Sequence, residues 1–285
     1  MEVRLTAVRP ETKFDPEPHT YEVMVNGKWL SGWPSVTEIV KATVPVPFSA
    51  GAWYGYKMGV NACYETADPN LDGFDEWYAT AKEFENPNSV LKKAGDRGTL
   101  IHEAIENWGQ SGVAPNPQDF EPEDRDRVAG VAKWLIENEP EFIEQEVRTA
   151  SLKYKYVGTF DAIVVFGAGD YKGKRALLDW KTSKNVYPDQ HYPQLSAYVE
   201  AEREAGIEPF DFSAIIHIPL DGKVKLHEND EGFREFKVLL PHYASVVRRE
   251  KREKAAVAAR KAAREAKKVA AAELKAQIAA EKAAK

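Results

Sequence analysis

Hydrophobic and polar residues alternate with period two from His19 to Leu30 (HTYEVMVNGKWL), and Asn26-Gly27 at the centre predicts a tight hairpin. Pro34-Ser35-Val36-Thr37-Glu38 then reads as a helix start, with a Ser or Thr cap ahead of Ile39 and Val40. Residues 45–85 carry Trp53, Tyr54, Tyr56, Tyr64, Trp77 and Tyr78 at irregular spacing. That spacing fits short packed helices, or an aromatic platform for unpaired bases. After Gly98-Thr99, an apolar stripe of Leu100, Ile101, Ala104, Ile105 and Trp108 predicts a helix that carries His102 and Glu106 on one face. Beyond a Gly/Pro/Asn loop, a second helix is predicted from Pro122 through Val128, Val131, Trp134, Leu135 and Ile136, stopping before Pro140.

The period then changes. Phe142 to Ala150 alternates as a strand, Lys155 to Phe166 follows as a second, and Arg175 to Thr182 as a third. Pro188 to Ala205 is predicted helical and is ended by Gly206. Phe212 to Pro219 reads as a buried strand, with a shorter one from Lys223 to His227 after Asp221-Gly222. This order predicts an α/β layer arrangement with a mixed central sheet flanked by helices. A last helix is predicted from Glu231, disturbed at Pro241 and rich in Ala, Lys, Glu and Arg. Its large apolar residues past 250 (Val257, Val269, Leu274, Ile278) are too sparse for a coiled-coil seam. Three regions are expected: an N-terminal hairpin and aromatic-rich helical region (1–94), an α/β core (95–245) and a basic helical tail (246–285).

Charge sharpens that division. Residues 248–285 hold 13 basic and 5 acidic side chains, whereas the remainder holds 26 basic against 40 acidic. An acidic body argues against sequence-independent coating of nucleic acid, but not against a local basic site. With Cys63 as the one cysteine, an internal disulfide and a four-cysteine iron–sulfur cluster are both excluded within this sequence. No apolar run of membrane-spanning or signal-peptide length occurs, so a cytoplasmic protein with no membrane partner is expected. No GxxxxGK[ST] phosphate loop is present, which argues against a motor of its own.

The chemistry concentrates between Val157 and Tyr198. Asp161 follows Gly158-Thr159-Phe160 in one apolar strand, and Asp179 ends Ala176-Leu177-Leu178 in the next. An ionised carboxylate in an apolar strand is costly to bury, and two close together repel; a divalent cation relieves both. Asp179 and Lys181 alternate with Trp180, so they share a strand face. Oxygen ligands of this kind suit Mg²⁺ or Mn²⁺, and an added imidazole favours Mn²⁺. A lone Asp-x-Lys is more often a strand-edge salt bridge.

The ordered set His102, Gly158-Thr159-Phe160-Asp161, Asp179-Trp180-Lys181 and Gln194-x-x-x-Tyr198 resembles the RecB-like nucleases of the PD-(D/E)XK superfamily, in their bacteriophage form. The phrase Asp96-Arg97-Gly98-Thr99-x-x-His102-x-x-x-Glu106 and the Pro34-Ser35-Val36-Thr37 hairpin exit are similar too. The resemblance implies a restriction-endonuclease-like fold and metal-dependent exonuclease activity on DNA, in recombination or repair. A single-strand annealing recombinase or single-strand-binding protein would be its partner, and the host cytoplasm its location. It implies that Asp161, Asp179, the Trp180 carbonyl and His102 hold Mg²⁺ or Mn²⁺ and that Lys181 is catalytic. It also implies that Gln194 and Tyr198 contact the DNA strand, while position alone adds Thr182, Ser183 and Lys184 as phosphate contacts. Glu106 has no role in that set. The alternative is a nucleic-acid-binding subunit that kept the fold without the chemistry.

Overall fold

Turn chemistry and capping shape the N-terminal part as its pattern predicts. The computed structural model describes residues 8–17, 19–45, 51, 55 and 87–283, the side chains of 87–89 and 269–283 excepted. The aromatic-rich stretch, with Trp53, Tyr54, Tyr56, Tyr64, Trp77 and Tyr78, lies outside the described residues, as does Cys63. Strands β1 (Thr12–Asp15), β2 (Thr20–Val25) and β3 (Lys28–Ser31) form an antiparallel meander. Asn26 and Gly27 take φ of 50° and 75°, the left-handed pair that a two-residue hairpin turn requires. Tyr21 and Val23 point the same way and pack with Ala150 and Val157 of the main sheet. Helix α1 (Val36–Thr43) starts where Ser35 accepts the Glu38 N–H at 3.0 Å, and it buries Val36, Ile39 and Val40.

Helix α2 runs from Pro87 to Ser111, so the expected start at Gly98-Thr99 is corrected to an earlier one. Gly98 serves close approach rather than helix initiation: a Cβ there would lie 2.9 Å from Thr182 Oγ1. Ile101 and Ile105 are buried, while Leu100, expected in the same stripe, is exposed. Two 3-10 turns (Pro117–Asp119 and Pro122–Asp124) lead into α3 (Arg125–Asn138), which buries Val128, Val131 and Leu135.

Among the described residues the main sheet has five strands in the order β4 (Pro140–Ser151), β5 (Tyr156–Phe166), β6 (Arg175–Lys181), β7 (Phe212–His217) and β8 (Lys225–Glu228). All neighbours are antiparallel except β6 and β7, whose parallel pairing requires the crossover helix α4 (Pro188–Glu204). The sheet is therefore mixed and flanked by helices. Ala162, Val164, Leu178, Ala214 and Ile216 pack with Ile101, Ile105, Val128, Val131 and Leu135 of α2 and α3 in one apolar cluster. Helix α4 buries Leu195, Ala197 and Ala201, and its Ala197 carbonyl accepts the Tyr156 hydroxyl at 2.8 Å.

The chain divides into two units, residues 1–237 and 238–285. Helix α5 (Phe233–Ala283) begins in the first and makes up the described part of the second. It continues through Pro241, and Arg248 to Lys268 are all exposed, as a solvated helix requires. Among the described residues no helix is long and apolar enough to cross a membrane.

Candidate metal centre

The acids meet where two strands part. The β5–β6 ladder ends at the Ala162–Leu178 pair, and just past it the Trp180 N–H donates to Asp161 Oδ2 at 2.5 Å instead of to a strand carbonyl. In an extended strand the N–H and C=O of one residue point the same way, so the Trp180 carbonyl is also directed at the gap beside Asp161. The Trp180 ring lies away from this gap, edge-on to Trp134 at 6.0 Å and tilted to Phe142 at 6.4 Å. Asp179 and Lys181 flank it in sequence and are ion-paired to each other.

Helix α2 brings His102 across from the sheet, its Nδ1 3.1 Å from Asp161 Oδ1. One further candidate ligand was not foreseen in the sequence. Glu146 on β4 offers a carboxylate oxygen that, with ligand atoms of His102 and Asp161, forms a set lying within 4.8 Å of one another. The register slips between Phe142 and Glu144, Gln145 pairs with Ala162 and Val147 with Phe160, and Glu146 takes φ of 48°. That irregularity turns Glu146 beside Asp161, while Glu144 is engaged by Arg9 at 2.6 Å.

The charges are strongly interdependent. Burial pushes Asp161 up, but His102, Lys181 and the Trp180 N–H outweigh it and hold its carboxyl below the ordinary value. Burial also pushes Asp179 up; Lys181 opposes this, the Asp161 charge adds to it, and the net direction is up. Burial disfavours charge on His102 and Lys181, yet the neighbouring carboxylates hold both above their ordinary values. Glu146 opens to the cleft, but desolvation by its walls, followed by the charge of Asp161, pushes it up to about 7. One imidazole, several carboxylates that cannot all ionise freely and a strand carbonyl make an oxygen-rich donor set that fits Mg²⁺ or Mn²⁺.

His102, Glu146, Asp161, Trp180 and Lys181 line an open cleft of about 880 Å³, with Lys41, Glu103, Glu106, Thr182 and Ser183 on its walls, while Asp179 is buried behind it. Glu106 accepts from Gln110 at 3.1 Å and stands one helical turn from His102. The loop after Lys181 is pinned by its carbonyls: Thr182 accepts Arg127 Nη2 at 3.0 Å, and the Ser183 carbonyl lies 2.9 Å from His217 Nε2. Thr182, Ser183 and the exposed Lys184 also line an adjoining trough of about 920 Å³ that holds Arg97, Arg127, Lys223 and Lys225.

Gln194 and Tyr198 take a different place from the one expected. Tyr198 is buried (1% exposed), so its ring has no surface open to a DNA strand. The half-buried Gln194 donates to the Tyr198 hydroxyl at 2.8 Å and to Thr37 Oγ1 at 3.2 Å. The Tyr198 ring lies under Gly158, where a Cβ would come within 2.5 Å of its Cε1, and 5.6 Å from the Phe160 ring. The pair thus supports the strand that presents Asp161.

No protein-family model matches the chain, and no curated protein matches it.

Proposed function

We propose that the chain is a divalent-metal-dependent deoxyribonuclease of the RecB-like, restriction-endonuclease-like type. The convergence of His102, Glu146 and Asp161 within 4.8 Å, beside the Asp179–Lys181 ion pair, carries this reading. The arrangement around it supports the same reading: a helix bearing the imidazole, three antiparallel strands bearing the acids, then a helix and a parallel strand.

His102, Glu146, Asp161, Asp179 and the Trp180 carbonyl would hold Mg²⁺ or Mn²⁺. When bound, the cation polarises a phosphate and makes a water more acidic. Lys181, kept cationic by Asp179 and Asp161, is placed to orient the attacking water or to stabilise charge that develops on the phosphate oxygens. Asp179 fixes the ammonium, so the lysine meets the substrate in one orientation. Thr182, Ser183 and Lys184 carry the strand from the cleft into the basic trough, where Lys184 and Lys225 add phosphate contacts.

Digestion of end-labelled linear and closed circular DNA with Mg²⁺ or Mn²⁺ tests the activity, with Lys181→Ala as the companion variant. Single-turnover cleavage by the variant is expected to fall on the order of 10²–10³-fold with DNA binding little changed. Lys181→Arg should not restore it, because a planar fork does not replace a compact ammonium. A parent protein that binds DNA and cuts none with either metal would establish the non-catalytic binding subunit instead.

A further inference from the structure

Behind Glu146 lies a second, smaller cavity that the metal centre does not use. It measures about 290 Å³ and is lined by Phe14, His19 and Tyr21 of the meander and by Arg148, Gly158 and Thr159 of the main sheet, among others. Glu146 and Thr159 line both this cavity and the metal cleft, so the two spaces meet at the metal centre.

Its walls are chemically divided. On one side Phe14 and His19 stand perpendicular, 5.0 Å apart, with Phe14 also 4.6 Å from Tyr21. His19 is exposed and held at φ of 51°, a conformation that residues bearing a Cβ rarely take, just ahead of the start of β2. On the other side Arg148 is exposed, and its guanidinium makes no ion pair or hydrogen bond among the described residues. Between them Tyr21 Oη and Thr159 Oγ1 share a hydrogen bond of 3.1 Å, which fixes the meander over β5. Aromatic faces, hydroxyls and an unpaired guanidinium are the groups that hold a base, a sugar and a phosphate respectively. The volume is at the lower end for a small-molecule pocket (roughly 300–1,000 Å³), so it suits one nucleotide rather than a duplex.

We infer that this cavity is a subsite for a single nucleotide at a DNA end, its base against His19 and Phe14 and its phosphate against Arg148. The inference rests on the nuclease reading and deepens it. A nucleotide seated there extends toward Glu146, which brings the ester bond joining it to the strand into the metal cleft. Water then adds to phosphorus, the P–O bond breaks and the leaving oxygen takes up a proton, releasing one mononucleotide and a shortened strand. The open basic trough on the other flank of the cleft holds the body of that strand.

The test is titration of deoxyadenosine 5′-monophosphate, deoxyadenosine and deoxyribose 5-phosphate into the full chain in EDTA, followed calorimetrically. The parent should bind the nucleotide saturably. His19→Ala should weaken the nucleotide by about tenfold and leave deoxyribose 5-phosphate unchanged, with His19→Phe restoring most of the loss. Arg148→Ala should weaken both phosphates and leave deoxyadenosine unchanged. Both positions are exposed, and circular dichroism checks that each variant is folded. Absence of saturable nucleotide binding in the parent, or binding indifferent to both substitutions, overturns the subsite whether or not the chain cuts DNA. Binding through His19 and Arg148 in a chain that cuts no DNA with Mg²⁺ or Mn²⁺ keeps the pocket and overturns the nuclease reading.

Discussion

The Trp180 N–H donates to the Asp161 carboxylate at 2.5 Å at the point where β5 and β6 stop pairing. Asp161 therefore does two jobs: it supplies charge to the cleft, and it satisfies a backbone donor that the splayed strands would otherwise leave bare. The two can be separated. Asp161→Asn keeps an oxygen for the N–H but gives up the attraction of His102 and Lys181 for the carboxylate, so it should melt below the parent. Asp161→Ala leaves the donor unpaired and should be less stable than Asp161→Asn by about 1–3 kcal/mol. Calorimetric titration should show Mn²⁺ binding lost in both. Equal melting of the two variants would mean that the hydrogen bond contributes nothing to holding the strands.

Glu146 and Glu106 both face the cleft, but Glu146 alone joins His102 and Asp161 in the close ligand set. Glu146→Gln should weaken Mn²⁺ by at least tenfold, within the loss expected for removing a ligand or its close support. Glu106→Gln should change it by less than about threefold, since that acid lies outside the close group of His102, Glu146 and Asp161. His102→Ala should lower cleavage more with Mg²⁺ than with Mn²⁺. Equal Mn²⁺ affinities in the two Glu→Gln variants would remove Glu146 from the ligand set.

Much of this was legible in the chain because local chemistry dictates it. Asn26-Gly27 demands a hairpin, Ser35 caps a helix three residues before Glu38, and two apolar strands carrying one acid each single out Asp161 and Asp179. What escaped depends on contacts distant in sequence. Glu146 looks like one more solvent-facing acid in FIEQEVRTA, because nothing local announces the shifted register and the left-handed φ that set it beside Asp161. Gly98 imitates a helix start, yet it is glycine because Thr182 packs on it from 84 positions away. The Gln194-x-x-x-Tyr198 spacing correctly puts both on one helical face, but spacing alone does not say whether that face meets solvent or strand β5.

Arg9 clasps two acids that are far from it in sequence. Its guanidinium meets Glu202 at 2.7 Å and Glu144 at 2.6 Å, and the Glu202 side chain is wholly buried. Removing the arginine leaves that carboxylate without its counter-charge. Arg9→Ala should cost about 3–5 kcal/mol, read from urea denaturation, and Arg9→Lys should recover little because the fork is bidentate on both partners. Adding Glu202→Gln to Arg9→Ala should return much of the loss. A single variant as stable as the parent would show that the clasp is incidental.

His191 gives the fold a pH dependence with a definite sign. Its ring is buried in the first turn of α4, Nδ1 accepts the Tyr187 N–H at 3.3 Å, and Tyr187 lies edge-on at 5.9 Å. Burial, then the charges of Lys181 and His217, depress its pKa from 6.5 to about 4. Between those values the unfolded chain binds a proton that the folded chain refuses. The stabilising contribution is therefore full above pH 6.5 and is lost progressively as the pH falls toward 4, by about 2 kcal/mol between pH 7 and 5. His191→Asn removes the titrating group while keeping a side-chain oxygen for the Tyr187 N–H. The difference in unfolding free energy between parent and variant, measured by denaturant titration at pH 7 and at pH 5, isolates His191 from the carboxylates that titrate in both. The parent should lose about 2 kcal/mol more than the variant over that interval. Parallel losses would mean that the imidazole charges in place within the folded protein, and that the packing around α4 admits water to it.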